Sequence, residues 1–184
     1  MSSIRVARSR LSWPVLVLAG VGLVASAADA ADELAQSLVG TWRGTLSGKT
    51  AQTSQGEVEV ELKAGGRGVV ARWPALDGTA QSAELVPGKR PDVLAPAAGG
   101  FQAMLGNTKV PNPLDGEPLL WGRRDGQGFY IYRLELAADG SLALDRYAFE
   151  PGADGGRMSF GISRTGAGGE SLGEARAELE RQDR

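Results

Sequence analysis

Short stretches of alternating hydrophobic and polar residues recur along most of the chain and are typical of β-strands with one buried face. The clearest is Glu57–Lys63, in which Val58, Val60 and Leu62 share one face while three glutamates and a lysine share the other. The pattern predicts eight strands: Thr41–Ser47, Glu57–Lys63, Gly68–Trp73, Gln81–Val86, Leu119–Arg123, Phe129–Leu136, Ser141–Phe149 and Met158–Arg164.

Glycine-containing turns lie between several of these strands, as in Asp139-Gly140 and Asp125-Gly126. Glycine adopts the positive φ angles that tight hairpins require, so these turns favour antiparallel pairing. Short strands with polar outer faces and hairpin turns are typical of an all-β fold. We therefore expect an antiparallel barrel or closed sandwich of about eight strands.

Three segments depart from the alternating pattern. Residues 32–38 have a helical pattern and predict a short N-terminal helix before the first strand. Residues 87–118 are rich in proline and glycine, and we expect irregular chain there, with a short strand or turn around Phe101–Leu105. Residues 166–184 begin with a glycine-rich linker and continue as a charged segment, which predicts a flexible tail of frayed helix or disorder.

The N-terminal residues resemble a secretory signal peptide. Arg5, Arg8 and Arg10 precede an uncharged stretch rich in Leu, Val and Ala, which ends in small residues. An uncleaved membrane anchor is the alternative, but the stretch is short and interrupted by proline and glycine. The sequence favours cleavage after Ala30, and it predicts a signal peptide at 1–30, a β domain at 31–165 and the tail at 166–184.

The amino-acid composition limits which cell compartments and which binding partners suit the protein. The chain has no cysteine, so the domain holds no disulfide and no cysteine lipidation site, and a bacterial periplasm fits this better than a eukaryotic secretory route. Residues 1–30 contain three arginines and one aspartate, so cleavage would change the formal charge from −2 to −4. An acidic domain is a poor partner for nucleic acid or anionic membranes, and we expect neither nucleic-acid binding nor stable membrane insertion.

The absence of both histidine and cysteine argues against most enzyme classes. It removes Ser-His-Asp triads, cysteine nucleophiles, most zinc sites and histidine-ligated haem. Carboxylates near turns, such as Asp115 with Glu117, are explained by turn formation more readily than by acid–base catalysis. The glycine-rich segments lack the lysine and hydroxyl residues of a phosphate loop. We therefore expect no enzymatic activity, no cofactor and no metal site.

The segment Val39-Gly40-Thr41-Trp42-Arg43-Gly44 resembles the start of the first strand in lipocalins and related calycin barrels. This resemblance implies an eight-stranded barrel in which Trp42 closes one end and an arginine of the last strand packs over it. By that resemblance the arginine would be Arg164, and a small apolar ligand would bind at the other end. Together with Arg72-Trp73-Pro74 and Glu117–Gly122, the segment also resembles uncharacterised bacterial exported proteins of lipocalin-like architecture.

The remaining aromatic residues are the candidates for ligand contact. Alternation places an arginine on the opposite face from an aromatic neighbour, which predicts aromatics in the core and arginines in solvent. In an alternative interpretation, some aromatics line a barrel mouth beside an arginine or the Lys89-Arg90 pair, which meets an anionic head group. The candidate ligand-binding residues are Trp73, Trp121, Tyr130, Tyr132 and Arg123.

Two functions remain after these exclusions. The first is a periplasmic carrier or sensor that binds a small amphipathic or apolar ligand in the barrel, with the segment 87–118 as a lid. The second is a ligand-free interaction module that docks on another envelope protein through a sheet edge or the proline-rich segment. A barrel interior filled to normal packing density would argue against the first.

Overall fold

A computed structural model describes residues 37–48, 56–65, 68–90, 92–97, 111–126 and 128–182. They form a closed antiparallel barrel in which each strand pairs with its sequence neighbours and β10 pairs with β1. A 3₁₀ turn, Pro113–Asp115, precedes β6. The strands are β1 (Gly40–Gly48), β2 (Gly56–Gly65), β3 (Gly68–Pro74), β4 (Ala80–Pro87), β5 (Val93–Pro96), β6 (Leu119–Asp125), β7 (Gly128–Leu136), β8 (Leu142–Pro151), β9 (Arg157–Gly166) and β10 (Ser171–Arg181).

The all-β antiparallel barrel is confirmed, but the barrel has ten strands and the prediction of eight is wrong. One additional strand, β5, lies inside the segment 87–118 that was expected to be irregular. It has only four residues and pairs with β4 and β6, so its alternation is too short to be detected without those neighbours.

The other additional strand, β10, replaces the predicted flexible tail at 166–184. Three of its four buried residues are small, and Gly173, Ala175 and Ala177, even with Leu179, do not produce a strong hydrophobic alternation among the surrounding charges. Pairing with β9 on one side and β1 on the other nevertheless fixes this segment as a strand. The tail prediction is therefore wrong, and the strand that closes the barrel lies C-terminal to the predicted domain boundary.

The predicted N-terminal helix at residues 32–38 lies mostly outside the described residues. Of residues 32–38, only Ser37 and Leu38 belong to the described part of the chain, and both have helical backbone. The predicted signal peptide and the region Phe101–Leu105 lie outside the described residues. Within the described ranges, no helix has the length and apolar character needed to cross a membrane.

Glycine allows the close approach of strands at the β1–β10 seam. A Cβ atom on Gly44 would collide with the backbone carbonyl oxygen of Glu178 and with the side chain of Leu179. The predicted hairpin at Asp139-Gly140 is present, and Gly140 has a φ of 83°, which other residues rarely adopt. These positions show why glycine is needed where the barrel closes and where its strands reverse.

Side chains rather than open space fill much of the barrel interior. Phe149 is fully buried at the centre of an aromatic cluster, with its ring centroid 5.6 Å from Phe129, 5.2 Å from Phe160 and 6.5 Å from Trp73. Such aromatic pairs stabilise a core by more than the burial of their apolar surface alone provides. The largest fully buried side chains are Trp42, Tyr147, Phe149, Phe160, Leu46, Leu62, Leu85, Leu94, Ile131, Met158, Leu179 and Val60.

Candidate functional site

Charged side chains face inward at the end of the barrel where β7 and β9 finish and β8 and β10 begin. On β7, Phe129 and Ile131 are buried, and alternation places Arg133 and Glu135 on the same inward face. Arg133 is opposite Asp145 of β8 in the register, and Asp145 is opposite Arg164 of β9. Antiparallel pairing thus assembles four charged residues from three neighbouring strands at one end of the barrel.

These four residues, Arg133, Glu135, Asp145 and Arg164, form an ion-pair ring in which positive and negative groups alternate. The Nη1 atom of Arg133 lies 3.0 Å from Oε2 of Glu135 and 3.3 Å from Oδ2 of Asp145. Arg164 completes the ring, with Nη2 3.2 Å from Oε2 of Glu135 and Nε 3.7 Å from Oδ1 of Asp145. The last distance is an ion pair but is too long for a hydrogen bond.

Asp145 is the most buried member of the ring. It is only 3% exposed, and it is the only charged or polar residue classed as buried within the described ranges. Burial raises the pKa of Asp145 above the usual aspartate value, and the nearby positive charges of Arg164 and Arg133 do not cancel this effect. Its Oδ1 atom accepts no hydrogen bond from any residue that the structure describes. An unmatched acceptor in a buried position is costly, and a bound donor would relieve that cost.

Two aromatic side chains lie deeper in the barrel beneath this ring. Tyr147 is two residues beyond Asp145 on the same face of β8, and its ring centroid is 5.4 Å from that of Trp73. Burial, followed by the negative charge of Asp145, raises the pKa of Tyr147 to about 12. Tyr147 is therefore neutral over the physiological range, and the ring of charges rests on an uncharged aromatic layer.

A cavity of about 330 Å³ opens above the ion-pair ring. The β3–β4 turn supplies one wall, with the carboxylate of Asp77 held by the backbone N–H and hydroxyl of Thr79 at 2.9 and 2.7 Å. These hydrogen bonds lower the pKa of Asp77, so it is ionised at neutral pH. The cavity is lined by Ala75, Leu76, Asp77, Thr79, Gln81, Arg133, Glu135, Asp145, Arg164, Leu172 and Gly173.

A second depression, of about 240 Å³, lies on the outer surface across β8, β9 and β10. Its floor contains Gly161 and Ala148, and its walls contain charged side chains such as Arg146 and Glu150. It does not contain Asp145, the buried charged residue of the described chain. The barrel mouth is the stronger candidate site, because the buried carboxylate of Asp145 lines it and the Oδ1 atom of that carboxylate accepts no hydrogen bond from the described residues.

The chemistry of the mouth suits binding. The two carboxylates of the ion-pair ring, Glu135 and Asp145, are both paired with guanidinium groups. No cluster of three or more potential metal ligands occurs in the described part of the chain. Asp115 and Glu117, considered above as catalytic acids, have structural contacts: Asp115 accepts a hydrogen bond from Nδ2 of Asn112, and Glu117 accepts one from the Asn112 backbone.

Four of the five predicted ligand-binding residues lie on the outer face of the barrel. Trp121 and Tyr132 are opposite each other on β6 and β7 and stack with ring centroids 5.2 Å apart. Arg123 is opposite Tyr130, which donates a hydrogen bond to Glu150 at 3.0 Å. The expectation that these aromatics face the core is wrong, because the other face of β7 carries Phe129 and Ile131 into it.

The fifth predicted residue, Trp73, does point into the barrel. It is 3% exposed, and it lies opposite Gln81, which lines the mouth cavity. Its neighbour Arg72 lies on the exposed face, as alternation predicts. Trp73 itself does not line the cavity but lies beneath it, packed against Tyr147 and Phe149.

Trp42 lies at the opposite end of the barrel. The indole is fully buried, and its Nε1 atom donates a hydrogen bond to the carbonyl oxygen of Leu38 at 2.9 Å. An arginine of the last strand does cover it, but that residue is Arg181, whose guanidinium lies 4.5 Å from the ring centroid. The predicted contact with Arg164 is wrong because β10, and not β9, is the last strand.

The sequence patterns did not predict that Arg133, Glu135 and Asp145 meet at one end of the barrel. A signal for them is present, since Phe129, Ile131, Arg133 and Glu135 share one face of β7 and half of that face is apolar. The prediction that Tyr130 and Tyr132 face inward places Arg133 and Glu135 on the outer face of β7, which is opposite to their position in the structure. The pairing of Arg133 with Asp145 depends on the β7–β8 register, which single-strand patterns do not contain.

Comparisons with known proteins give structural likenesses only. No family model matches the chain, and no curated protein matches it. A Nostoc punctiforme protein of unknown function from the DUF3598 family aligns with 11% identity and a TM-score of 0.49 over 80% of this chain, which spans only 48% of that protein. Rv2717c from M. tuberculosis aligns with 18% identity and a TM-score of 0.45, over 83% of this chain and 98% of that one.

A third solved structure is a zebrafish ileal bile acid-binding protein in complex with cholic acid. It aligns with 9% identity and a TM-score of 0.34, over 79% of this chain and 99% of that protein. The barrel and its cavity are established by this chain's own strand pairing and side-chain contacts.

Proposed function

We propose that the protein binds a small amphipathic ligand in the mouth of its barrel, above the ion-pair ring. The observation that carries this proposal is the buried carboxylate of Asp145, which lines the cavity with an oxygen that accepts no hydrogen bond from the described residues. Folding has placed a charge where it costs free energy, at the bottom of an accessible cavity. A ligand that supplies the missing donor recovers part of that cost.

The two-sided lining of the cavity supports an amphipathic ligand. The ion-pair ring forms a polar floor, whereas Ala75, Leu76 and Leu172 supply apolar surface around it. Leu172 is 41% exposed in the free protein, so a ligand can remove additional apolar area from water there. Binding pockets commonly combine apolar walls with a few polar groups that fix orientation.

Cavity size and core packing limit the ligand. A volume of about 330 Å³ is near the lower end of the range for small-molecule pockets, which begins at about 300 Å³. Beneath the ring, the rings of Trp73, Tyr147 and Phe149 occupy the barrel interior. The ligand is therefore a small molecule seated in the mouth, and a wholly apolar one is disfavoured because it would cover the charges without pairing them.

We also propose that the protein is exported and acts in the periplasm. The support is the arrangement of residues 1–30, with three arginines, an uncharged stretch and small residues at the end. Mass spectrometry of the protein from the cell envelope should find an N-terminus at Ala31. An intact N-terminus in the membrane fraction would support the uncleaved anchor instead.

Native mass spectrometry of protein purified gently from its own cell envelope tests the binding proposal. We expect a reproducible additional mass that is lost on denaturation. Leu172→Ser should reduce its occupancy, because this residue lines the cavity. Leu142→Ser is the matched control, since Leu142 is 40% exposed and Leu172 is 41% exposed, but Leu142 is not part of the cavity lining.

Two results would contradict the proposal. Equal loss of the bound mass in both variants would place the ligand elsewhere on the protein. A bare chain that co-purifies with another protein would favour the interaction module. That module would have to use a barrel surface, because the closed barrel leaves no unpaired strand in the described part of the chain for docking through a sheet edge.

A further inference from the structure

The charges around the cavity indicate which polar group the ligand carries, provided that the proposed function holds. Two arginines and three carboxylates line the cavity, so its charged residues sum to −1 when all are ionised. Asp77 contributes the excess negative charge, and its hydrogen bonds from Thr79 keep it ionised. An anionic head group would therefore enter a site that already carries a negative charge.

The guanidinium groups of the ring are already engaged. Arg133 donates from Nη1 to both Glu135 and Asp145, and Arg164 donates from Nη2 to Glu135. A carboxylate or phosphate on the ligand would share these two guanidinium groups with the internal carboxylates. It would add a further negative charge beside Glu135 and Asp145, and repulsion between like charges disfavours that.

The unmatched group of the site is an acceptor. The Oδ1 atom of Asp145 is 3.7 Å from Nε of Arg164, and it accepts no hydrogen bond from the described chain. A ligand N–H or O–H group completes its coordination without displacing any existing contact. We infer that the ligand presents an uncharged or cationic hydrogen-bond donor, such as a hydroxyl or an ammonium group, to Asp145, and that the site discriminates against anions.

Three probes with the same six-carbon chain test this inference: hexylammonium, 1-hexanol and hexanoate. Binding to ¹⁵N-labelled protein is followed by NMR at the side chains of Gln81 and Arg164, which line the cavity, with Trp121 on the outer face as an internal control. We expect hexylammonium and 1-hexanol each to bind at least about tenfold more tightly than hexanoate. This ratio of affinities corresponds to the free energy of about one charged hydrogen bond.

Asp145→Asn changes the charge of the site while preserving the shape of the side chain. It brings the charged residues of the lining to zero, so the preference for hexylammonium over hexanoate should fall at least about fivefold. Asp154→Asn is the matched control, because Asp154 is exposed in the β8–β9 turn and accepts hydrogen bonds from the backbone of Gly156 and Arg157. This control should retain the preference of the unmodified protein.

The outcomes separate the two proposals. Hexanoate that binds within tenfold of the other probes, at the same cavity signals, overturns the inference and leaves the binding function intact. An unchanged preference in Asp145→Asn also overturns it. If none of the probes shifts the Gln81 and Arg164 signals at up to about 20 mM, a weak limit for specific binding, both the inference and the proposed function fail. The comparison in the unmodified protein does not depend on the folding of a variant.

Discussion

Replacing Trp42 with alanine should destabilise the barrel by about 3–5 kcal/mol, the usual cost of truncating a buried tryptophan. Trp42 is fully buried, donates a hydrogen bond to Leu38 and lies beneath the guanidinium of Arg181. The substitution removes all three interactions at the end of the barrel. Because small domains are stable by only about 5–15 kcal/mol, the loss is a large part of the total.

Urea unfolding followed by circular dichroism measures this change, and thermal unfolding provides a second measurement. For a chain of this size, each kcal/mol lowers Tm by about 2–4 °C, so the expected decrease is about 6–20 °C. Trp42→Phe should give a smaller loss of about 1–3 kcal/mol, because it keeps most of the ring but leaves the Leu38 carbonyl without its donor.

Trp121→Ala is the matched control, since it removes the same side chain from the outer face. Trp121 is partly exposed and stacks on Tyr132, so its loss should cost only about 1–2 kcal/mol. A loss below about 1 kcal/mol for Trp42→Ala, or equal losses for the two variants, would refute the assignment of Trp42 as the residue that closes the barrel.

Three further predictions concern closure and charge. A chain that ends before Ser171 lacks β10, and it should fail to unfold cooperatively because β1 and β9 lose a shared partner; a sharp urea transition would contradict this. Gly44→Ala should lower the free energy of unfolding by about 1–3 kcal/mol, because the new Cβ atom collides with the Glu178 carbonyl at the seam between β1 and β10. An unchanged urea midpoint would contradict this prediction, because it would show that the seam relaxes without cost. The raised pKa of Asp145 means that the folded chain binds its proton more tightly than the unfolded chain, so this group lowers the free energy of unfolding as pH rises from about 4. Asp145→Asn should therefore show a less negative slope of stability against pH over that window, whereas parallel curves for the two proteins would contradict the raised pKa.

Residue type and alternation alone predicted a large part of the architecture. Runs such as Glu57–Lys63 identified strands because a strand places successive side chains on opposite faces, whatever surrounds it. The turn at Asp139-Gly140 was predictable because a positive φ is a local requirement. The absence of histidine and cysteine excluded their chemistry directly.

The segments that were missed are those whose structure depends on their neighbours. The alternation of β10 is weak because three of its four buried residues, Gly173, Ala175 and Ala177, are small, and the strand exists through its pairing with β9 and β1. The sequence also predicted the wrong arginine over Trp42, because Arg181 belongs to β10, the strand that the alternation did not reveal.

The candidate site was decided by tertiary structure. Alternation determines which residues of β7 share a face, but it does not determine which face turns inward when both carry apolar side chains. Barrel closure turned the face of Phe129 and Ile131 toward the core. Arg133 and Glu135 lie further along the same face of β7 and therefore point into the mouth. Asp145 then met Arg133 and Arg164 through the register of three strands, a relation between distant parts of the chain that only the folded barrel creates.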